Sequence, residues 1–371
     1  NSALRSLTKK KGFSAINIIG LAIGMAAALL ILTYVAFEYS YDDMHSRADR
    51  IFRVEARFYE NGELTDNWAS SSAGYATAMK RNLAGVEDYT RVGSQYYPEQ
   101  VVKYNELLYR ETGIGYAEAN FFDFFDFKLL KGNKESCLDG PNKVVITERI
   151  ARKYFKGADP IGKILIFRSN IGEEACEVTG IMEDMPINTH IRYNLLISYK
   201  TLPKWMDEYW YRHEVYSYVL LKSANLKTQV EEDFPVMAEK YKTEEALKNK
   251  TWAIQLTNLR DIHLNPQKAY EPEVKGNRSS IWVLICTALA ILCIAWINYI
   301  NMTVARSMER AKEIGIRRAS GASRRQVISQ FLFESLVTNS IAFILAIGLM
   351  EALMPSFNNQ TGRDLSFSVW F

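Results

Sequence analysis

Two stretches of the chain leave almost no choice of local structure. Residues 12–37 run for 26 positions without a charge, and residues 279–305 run for 27. About 20 apolar residues cross a bilayer core as a helix, which satisfies its own backbone groups where no water can. Both stretches therefore predict transmembrane helices. A third stretch, 335–350, holds 16 uncharged residues between Glu334 and Glu351. At ~1.5 Å per residue it spans about 24 Å, marginal for a crossing, so it predicts a third helix with interfacial ends. The first stretch does not read as a cleaved leader, whose apolar region is about 7–15 residues followed by polar chain. Here Ala26-Ala27-Ala28 leads straight into Leu29-Leu30-Ile31-Leu32, as an uncleaved anchor would.

Charge sets the orientation. Residues 1–37 carry Arg5, Lys9, Lys10 and Lys11 and no acid. Residues 305–325 carry Arg306, Arg310, Lys312, Arg317, Arg318, Arg324 and Arg325 against Glu309 and Glu313. Residues 38–280 hold 33 bases against 37 acids. Basic loops stay on the cytoplasmic side, which places the N-terminus and 305–325 inside and 38–280 outside. A hydrophobic share of 48% with 23% charged residues excludes a disordered chain. A net charge of +3 spread over 371 residues leaves no basic face for nucleic acid, so no nucleic-acid partner is expected.

The resulting layout is a cytoplasmic amphipathic start at 1–12 and a first membrane helix at 13–37. An extracytoplasmic domain follows at 38–280, then a second helix at 281–304. A cytoplasmic elbow at 305–325, a third helix at 326–354 and an outer segment at 355–371 complete it. Asn1 in place of Met, and an odd number of helices, read as a fragment of a longer protein with a returning fourth helix. The outer domain is mixed α/β by pattern: β-branched and aromatic runs predict strands at 51–59, 89–97, 163–167, 176–182, 192–199, 216–221 and 252–259. Helical spacing predicts helices at 74–83, 147–155 and 226–241. Asn61-Gly62, Lys131-Gly132-Asn133 and Asp139-Gly140-Pro141-Asn142 predict tight turns.

A search for chemistry finds little. Gly157-Ala158-Asp159-Pro160-Ile161-Gly162-Lys163 fits the spacing of a phosphate loop. Ile164 stands where a hydroxyl must hold Mg²⁺, and a helix rather than a strand precedes the run. A Pro-Ile-Gly turn into a strand is the better reading. The four histidines (His45, His190, His213 and His263) show no metal or nucleophile spacing. His190, in the turn-rich Asn188-Thr189-His190, reads as structural, and the aromatic run 121–127 reads as core. Cys137 and Cys176 lie where a disulfide could persist, while Cys286 and Cys293 share one helix face; all four read first as small free hydrophobes. The chain is thus expected to be neither an enzyme nor a holder of its own cofactor or metal.

The segment 309–326 is the informative one. Glu309/Lys312 and Glu313/Arg317 are spaced i,i+3 and i,i+4 in the favourable order, so a short helix can continue the second membrane helix. Gly321 is placed to close it with a left-handed cap, and Ser323 with Gln326 forms a capping box that opens the next. Arg324 and Arg325 then sit in a first turn, where the helix dipole disfavours cations by roughly 0.3–1 kcal/mol each. Local stability does not account for them; they read as charge that sets topology or, better given the glycine elbow and paired acids, as a docking knob for a soluble partner or anionic lipid. Within the membrane, Gly20 and Gly24 with Ala28 give the first helix a small-residue face. Asn17, Asn298, Asn301 and Asn339 are expected to be buried polar groups in a helix bundle.

These residues resemble a known family. Arg310-Ala311-Lys312-Glu313-Ile314-Gly315-Ile316-Arg317-Arg318-Ala319-Ser320-Gly321-Ala322, with Gln330-Phe331-Leu332 and Glu334-Ser335, resembles the signature of FtsX-like ABC transporter permeases. The outer segment resembles the MacB-type periplasmic core domain in 121–132, 144–164 and 180–198, including Pro186-Ile187-Asn188-Thr189-His190. The resemblance implies a porter-like subdomain with a smaller insert, placed at roughly 115–190. It also implies a bacterial inner-membrane permease working as a dimer or as two homologous halves, with the outer domain in the periplasm. ATP and Mg would sit on a separate cytoplasmic ATPase, and a periplasmic adaptor and outer-membrane channel could join. The function so implied is transmission of ATP-driven motion to the outer domain for export of antibiotics, peptides or lipoproteins. A scaffold that senses a ligand or regulates an envelope hydrolase is the alternative. Arg310, Lys312, Glu313, Ile314, Gly315, Ile316, Arg317, Arg318 and Gly321 become the expected ATPase contacts. Glu313, Arg317 and Arg318 would form its ion pairs, Ile314 and Ile316 its apolar anchor, and Gly315 and Gly321 its backbone fit.

Overall fold

The computed structural model describes residues 11–93, 99–169, 172–210, 212–242, 250–272, 275–305, 311, 314–316, 319–321, 323–363 and 365–366 of the chain. The helices are α1 (Lys11–Tyr39), α2 (Ala73–Asn82), α3 (Phe121–Phe124), α4 (Glu148–Phe155), α5 (Lys227–Ala238), α6 (Arg278–Ala305) and α7 (Arg324–Thr361). The strands are β1 (Ile51–Glu60), β2 (Glu63–Trp68), β3 (Val86–Gly93), β4 (Glu99–Tyr104), β5 (Leu107–Thr112), β6 (Ile114–Ala117), β7 (Leu129–Lys131), β8 (Lys143–Thr147), β9 (Ile164–Ser169), β10 (Gly172–Met182), β11 (Leu195–Ser198), β12 (Tyr216–Leu221) and β13 (Thr251–Asn258). The chain divides into a helical unit, Asn1–Ser40 with Asn277–Phe371, and a sheet unit, Tyr41–Gly276.

In the helical unit α1, α6 and α7 are each long and apolar enough to cross a membrane. The Asn277 side chain accepts the Ser279 and Ser280 N–H groups at 2.8 and 3.3 Å and so caps the start of α6. With 38 residues, α7 is about 57 Å long. It runs seven residues past the end expected at 354, through exposed Glu351 and through Pro355, and Gly362 closes it at φ 64°. Charge limits how much of a helix can sit in lipid; it does not end the helix.

The sheet unit is a mixed sheet in the order β13-β1-β12-β3-β6-β11-β8-β10-β9-β4-β5, with β2 also on β1 and β7 on β10. The pairs β6/β11 and β8/β10 are parallel. The β1–β2 hairpin turns at Asn61 and Gly62, both at positive φ (52° and 85°), as a two-residue turn matched to strand twist requires. Phe52, Val54, Ala56 and Phe58 of β1 face α2 and α5 in one apolar cluster. The aromatic run Phe121, Phe122, Phe124, Phe125 and Phe127 is core of a second. Val144, Ile146, Leu165, Phe167 and Val178 join α4 in a third. Strands from 115–190 continue the same sheet, and β4 and β5, which precede 115, lie at its far edge.

The Gly157–Lys163 run is a turn: the Lys163 N–H reaches the Pro160 carbonyl at 3.1 Å, and Gly162 takes φ 77° before β9. Cys137 and Cys176 are free and buried, and burial pushes their thiols up to about 11 and about 12. The polar hairpin β4–β5 was not legible as strands, because Glu99, Lys103, Arg110 and Glu111 interrupt its apolar alternation.

Candidate functional site

Between α6 and α7 the described residues of the elbow are 311, 314–316, 319–321 and 323. Residues 311, 314–316 and 319 are helical. The Ser320 N–H closes that helix on the Ile316 carbonyl at 3.0 Å. Gly321 follows at φ 88° with nothing near its Cβ position, so the backbone conformation, not space, selects glycine there. The Ser323 hydroxyl accepts the Gln326 N–H at 3.3 Å, and the Gln326 side chain accepts the Ser323 N–H at 2.9 Å. This reciprocal box fixes the start of α7. Ile314 is half-buried, Gly315 is exposed, and Ile316 is 62% exposed. Arg310, Lys312, Glu313, Arg317 and Arg318 lie outside the described residues.

α1 packs on both α6 and α7. A Cβ on Gly24 would stand 2.7 Å from the Ala295 Cβ of α6, and one on Gly20 would stand 3.6 Å from the Asn298 amide nitrogen. The small face thus joins two helices of one chain. Leu21, Ala22, Ala295 and Ala342 form its apolar centre. Asn17 is buried, but Asn298 and Asn301 are exposed. The expectation of burial does not hold for these two, although Asn298 borders Gly20 of α1 beside the buried stripe Ile281, Ala288 and Ala295, and Asn339 is half-buried. At the other end of α1, buried Glu38 pairs with Arg363 at 3.1 Å, and the Arg363 guanidinium lies 5.7 Å from the Phe37 ring centre. Asn358 holds Leu365 through both its backbone groups, at 2.9 and 3.2 Å.

Two segments of the sheet unit continue directly from α1 and into α6, and both are anchored by charges. On the first, Asp42 adopts φ 60°, its N–H reaches the Asn188 carbonyl at 2.9 Å, and its carboxylate lies 2.7 Å from His190 Nδ1. His190 Nε2 lies 2.9 Å from the Tyr218 hydroxyl. His190 is therefore structural, as its turn-rich setting suggests, but it bonds distant side chains rather than nearby carbonyls. Burial works to raise the Asp42 pKa, yet His190 and the Thr189 hydroxyl outweigh it and hold the carboxyl below its ordinary value. Tyr41 stacks on His263 with ring centres 3.4 Å apart, and Asp43 pairs with Arg260 at 2.7 Å.

On the second segment, Glu271 pairs with Arg53 and with Lys275 at 2.6 and 2.7 Å. Arg53 also holds Glu55 at 2.6 Å, and Glu55 takes Lys268 and the Thr257 hydroxyl. All five charged side chains are buried. Burial raises the Glu55 carboxyl, but Arg53 and Lys268 more than reverse this; burial lowers both lysines. Sequence reasoning missed this network. Its only local trace is Arg53 and Glu55 two apart on one strand face.

With this geometry in place, comparison with known proteins is informative. Residues 14–235 match the model of the MacB-like periplasmic core domain, and residues 285–371 match the FtsX-like permease C-terminal model. The macrolide export ATP-binding/permease protein MacB of Neisseria meningitidis serogroup A is 27% identical over 262 residues, covering 68% of this chain. The match covers 38% of that relative, so the chain spans well under half of its length. The ABC transporter permease YknZ of Bacillus subtilis is 23% identical over 360 residues, 94% of this chain and 83% of that one. A solved domain of a permease protein from Porphyromonas gingivalis superposes with a TM-score of 0.52 at 23% identity, covering 62% of this chain and 96% of that domain. This likeness supports the fold of the sheet unit.

Proposed function

Because the chain belongs to the MacB/FtsX-like family of ABC transporter permeases, we propose that it carries ATP-driven motion from a cytoplasmic ATPase to its extracytoplasmic sheet unit. The observation that carries this reading is the elbow: a helix, a Gly321 reversal and a capped second helix that present Ile316 to solvent. A knob held by a left-handed cap and a reciprocal capping box keeps its shape when pushed, and its second arm continues as the spanning helix α7.

ATP and Mg belong to the partner ATPase, whose two states must contact the elbow with different energies for any push to arise. Glu313, Arg317 and Arg318 are the proposed ion pairs, with Ile314 and Ile316 as the apolar anchor and Arg310 and Lys312 as flanking charge. The helices then shift as semi-rigid levers, α1 through its close contact with α6 at Gly24 and Ala295. The motion leaves through the segments that begin at Tyr41 and end at Lys275. We place the protein in the bacterial inner membrane, paired with a second permease copy or half, in an exporter of antibiotics, peptides or lipoproteins. A periplasmic adaptor and an outer-membrane channel complete the proposed route.

The test is co-purification of the full-length permease with candidate ABC ATPases, comparing wild type with Glu313→Arg and Arg318→Glu. Capture of one ATPase, lost in both variants, is the expected result. Wild type capturing none would overturn the transmission reading and favour a scaffold that regulates an envelope hydrolase.

A further inference from the structure

Three of the chain's four histidines converge on residues 41–45, the start of the sheet unit. His190 holds Asp42, His263 stacks on Tyr41, and His45 lies within the segment. The His45 ring is fully buried against Phe125 and Phe127, with ring centres 5.4 and 5.1 Å apart. Its Nδ1 accepts the Asp126 backbone N–H at 3.1 Å. A ring nitrogen that accepts carries no proton, so the contact assigns a neutral imidazole with its hydrogen on Nε2. Nε2 has no hydrogen-bond partner among the described residues.

The neighbouring charges are committed elsewhere. Asp42 is taken by His190 and Thr189, and the Asp126 carboxylate accepts the Ser46 N–H. Arg47 donates to the Asp123 and Phe124 carbonyls, and Asp43 pairs with Arg260. The Tyr218 hydroxyl sits on His190. A proton added to His45 would set N–H against N–H and bury an unpaired charge.

We propose that His45 is an acid-sensitive fastener: protonating Nδ1 breaks its bond to the Asp126 amide and releases residues 41–47, the joint between α1 and the sheet unit. Burial already holds this imidazole down to about 4, from an ordinary 6.5. The unfastened joint therefore binds the proton first, and fastening weakens as pH falls from about 6.5 toward 4. From those two values the open-to-closed ratio rises about 20-fold between pH 7 and pH 5. The inference does not depend on the ATPase reading.

Hydrogen exchange of the Asp126 amide in the full chain in nanodiscs, at pH 7, 6 and 5, tests it. Rates are corrected for intrinsic exchange and referenced to Val145 in β8. Protection should fall about 20-fold in the wild type from pH 7 to pH 5. It should stay flat in His45→Gln, whose amide oxygen can accept the same N–H but does not titrate. Flat protection in the wild type, or an equal fall in His45→Gln, would overturn the proposal. Should the variant not fold, the ¹⁵N shift of His45 Nδ1 in wild type decides: an acceptor nitrogen persisting below pH 6 supports the fastener, and protonation centred near 6.5 sinks it.

Discussion

The helical and sheet units place opposite kinds of residue on their surfaces and in their interiors. In the helical unit Trp282, Ile294 and Ile344 are 58%, 67% and 68% exposed, while Gly24, Ala22, Ala295, Ala342 and Ala346 make its close helix contacts beside a few larger buried residues such as Leu21 and Met350. In the sheet unit large side chains such as Trp252, Phe121 and Phe234 fill the interior, and five charged side chains are buried with them. Lipid provides no hydrophobic drive between helices, so close approach and small residues decide packing there. Water provides that drive, so the sheet unit can enclose bulk and can also hold paired charge, which adds selectivity of fit more than stability.

The sharpest way to break the contrast is Arg53→Met. It leaves Glu55 and Glu271 buried with fewer partners, and the loss should be about 3–5 kcal/mol, read as a lower urea midpoint by tryptophan fluorescence. A loss under about 1 kcal/mol would mean that the network is wet and that the sheet unit rests on its apolar clusters alone. Next in size is Gly24→Leu in the helical unit. The new side chain meets Ala295, and melting in detergent should report a loss of about 1–3 kcal/mol. An unchanged melting temperature would show that α1 and α6 are not closely packed in the membrane.

The smallest effects separate two glycines of the elbow. Gly321→Ala should cost about 1 kcal/mol, because an alanine at φ 88° is strained. Gly315→Ala meets open space inside a helix and should gain about 0.5–1 kcal/mol. If Gly315→Ala nevertheless abolished ATPase capture, a partner backbone would have to approach that position.

Much of the architecture was legible because its signals are local. The apolar runs became α1, α6 and α7; Asn61-Gly62 became the hairpin turn; Ser323 and Gln326 became the capping box. Helix α4 covers 148–155 of the predicted 147–155, and strand β12 begins and ends where its residues predicted. Each depends on residues fewer than five apart, or on one uninterrupted composition. Asn298 borders Gly20 of α1 and yet stays exposed, as Asn301 does, because composition does not say how far a helix contact covers a side chain.

What the sequence determined alone was therefore the apolar helices that can enter lipid, the strands with strong β-branched or aromatic runs, and the local turns and caps, but not the polar hairpin β4–β5. Strand β1 shows where that stops. Phe52, Val54, Ala56 and Phe58 alternate with Arg53, Glu55 and Arg57, which by period alone reads as one face inward and one in water. Only the tertiary structure placed Glu271 and Lys268 over Arg53 and Glu55, more than 200 residues away, and turned a solvent face into a buried ion network. The same holds for His190 on Asp42, 148 residues apart. Periodicity records that a face differs from its opposite; what covers that face is set by register and chain crossing, which no local pattern encodes.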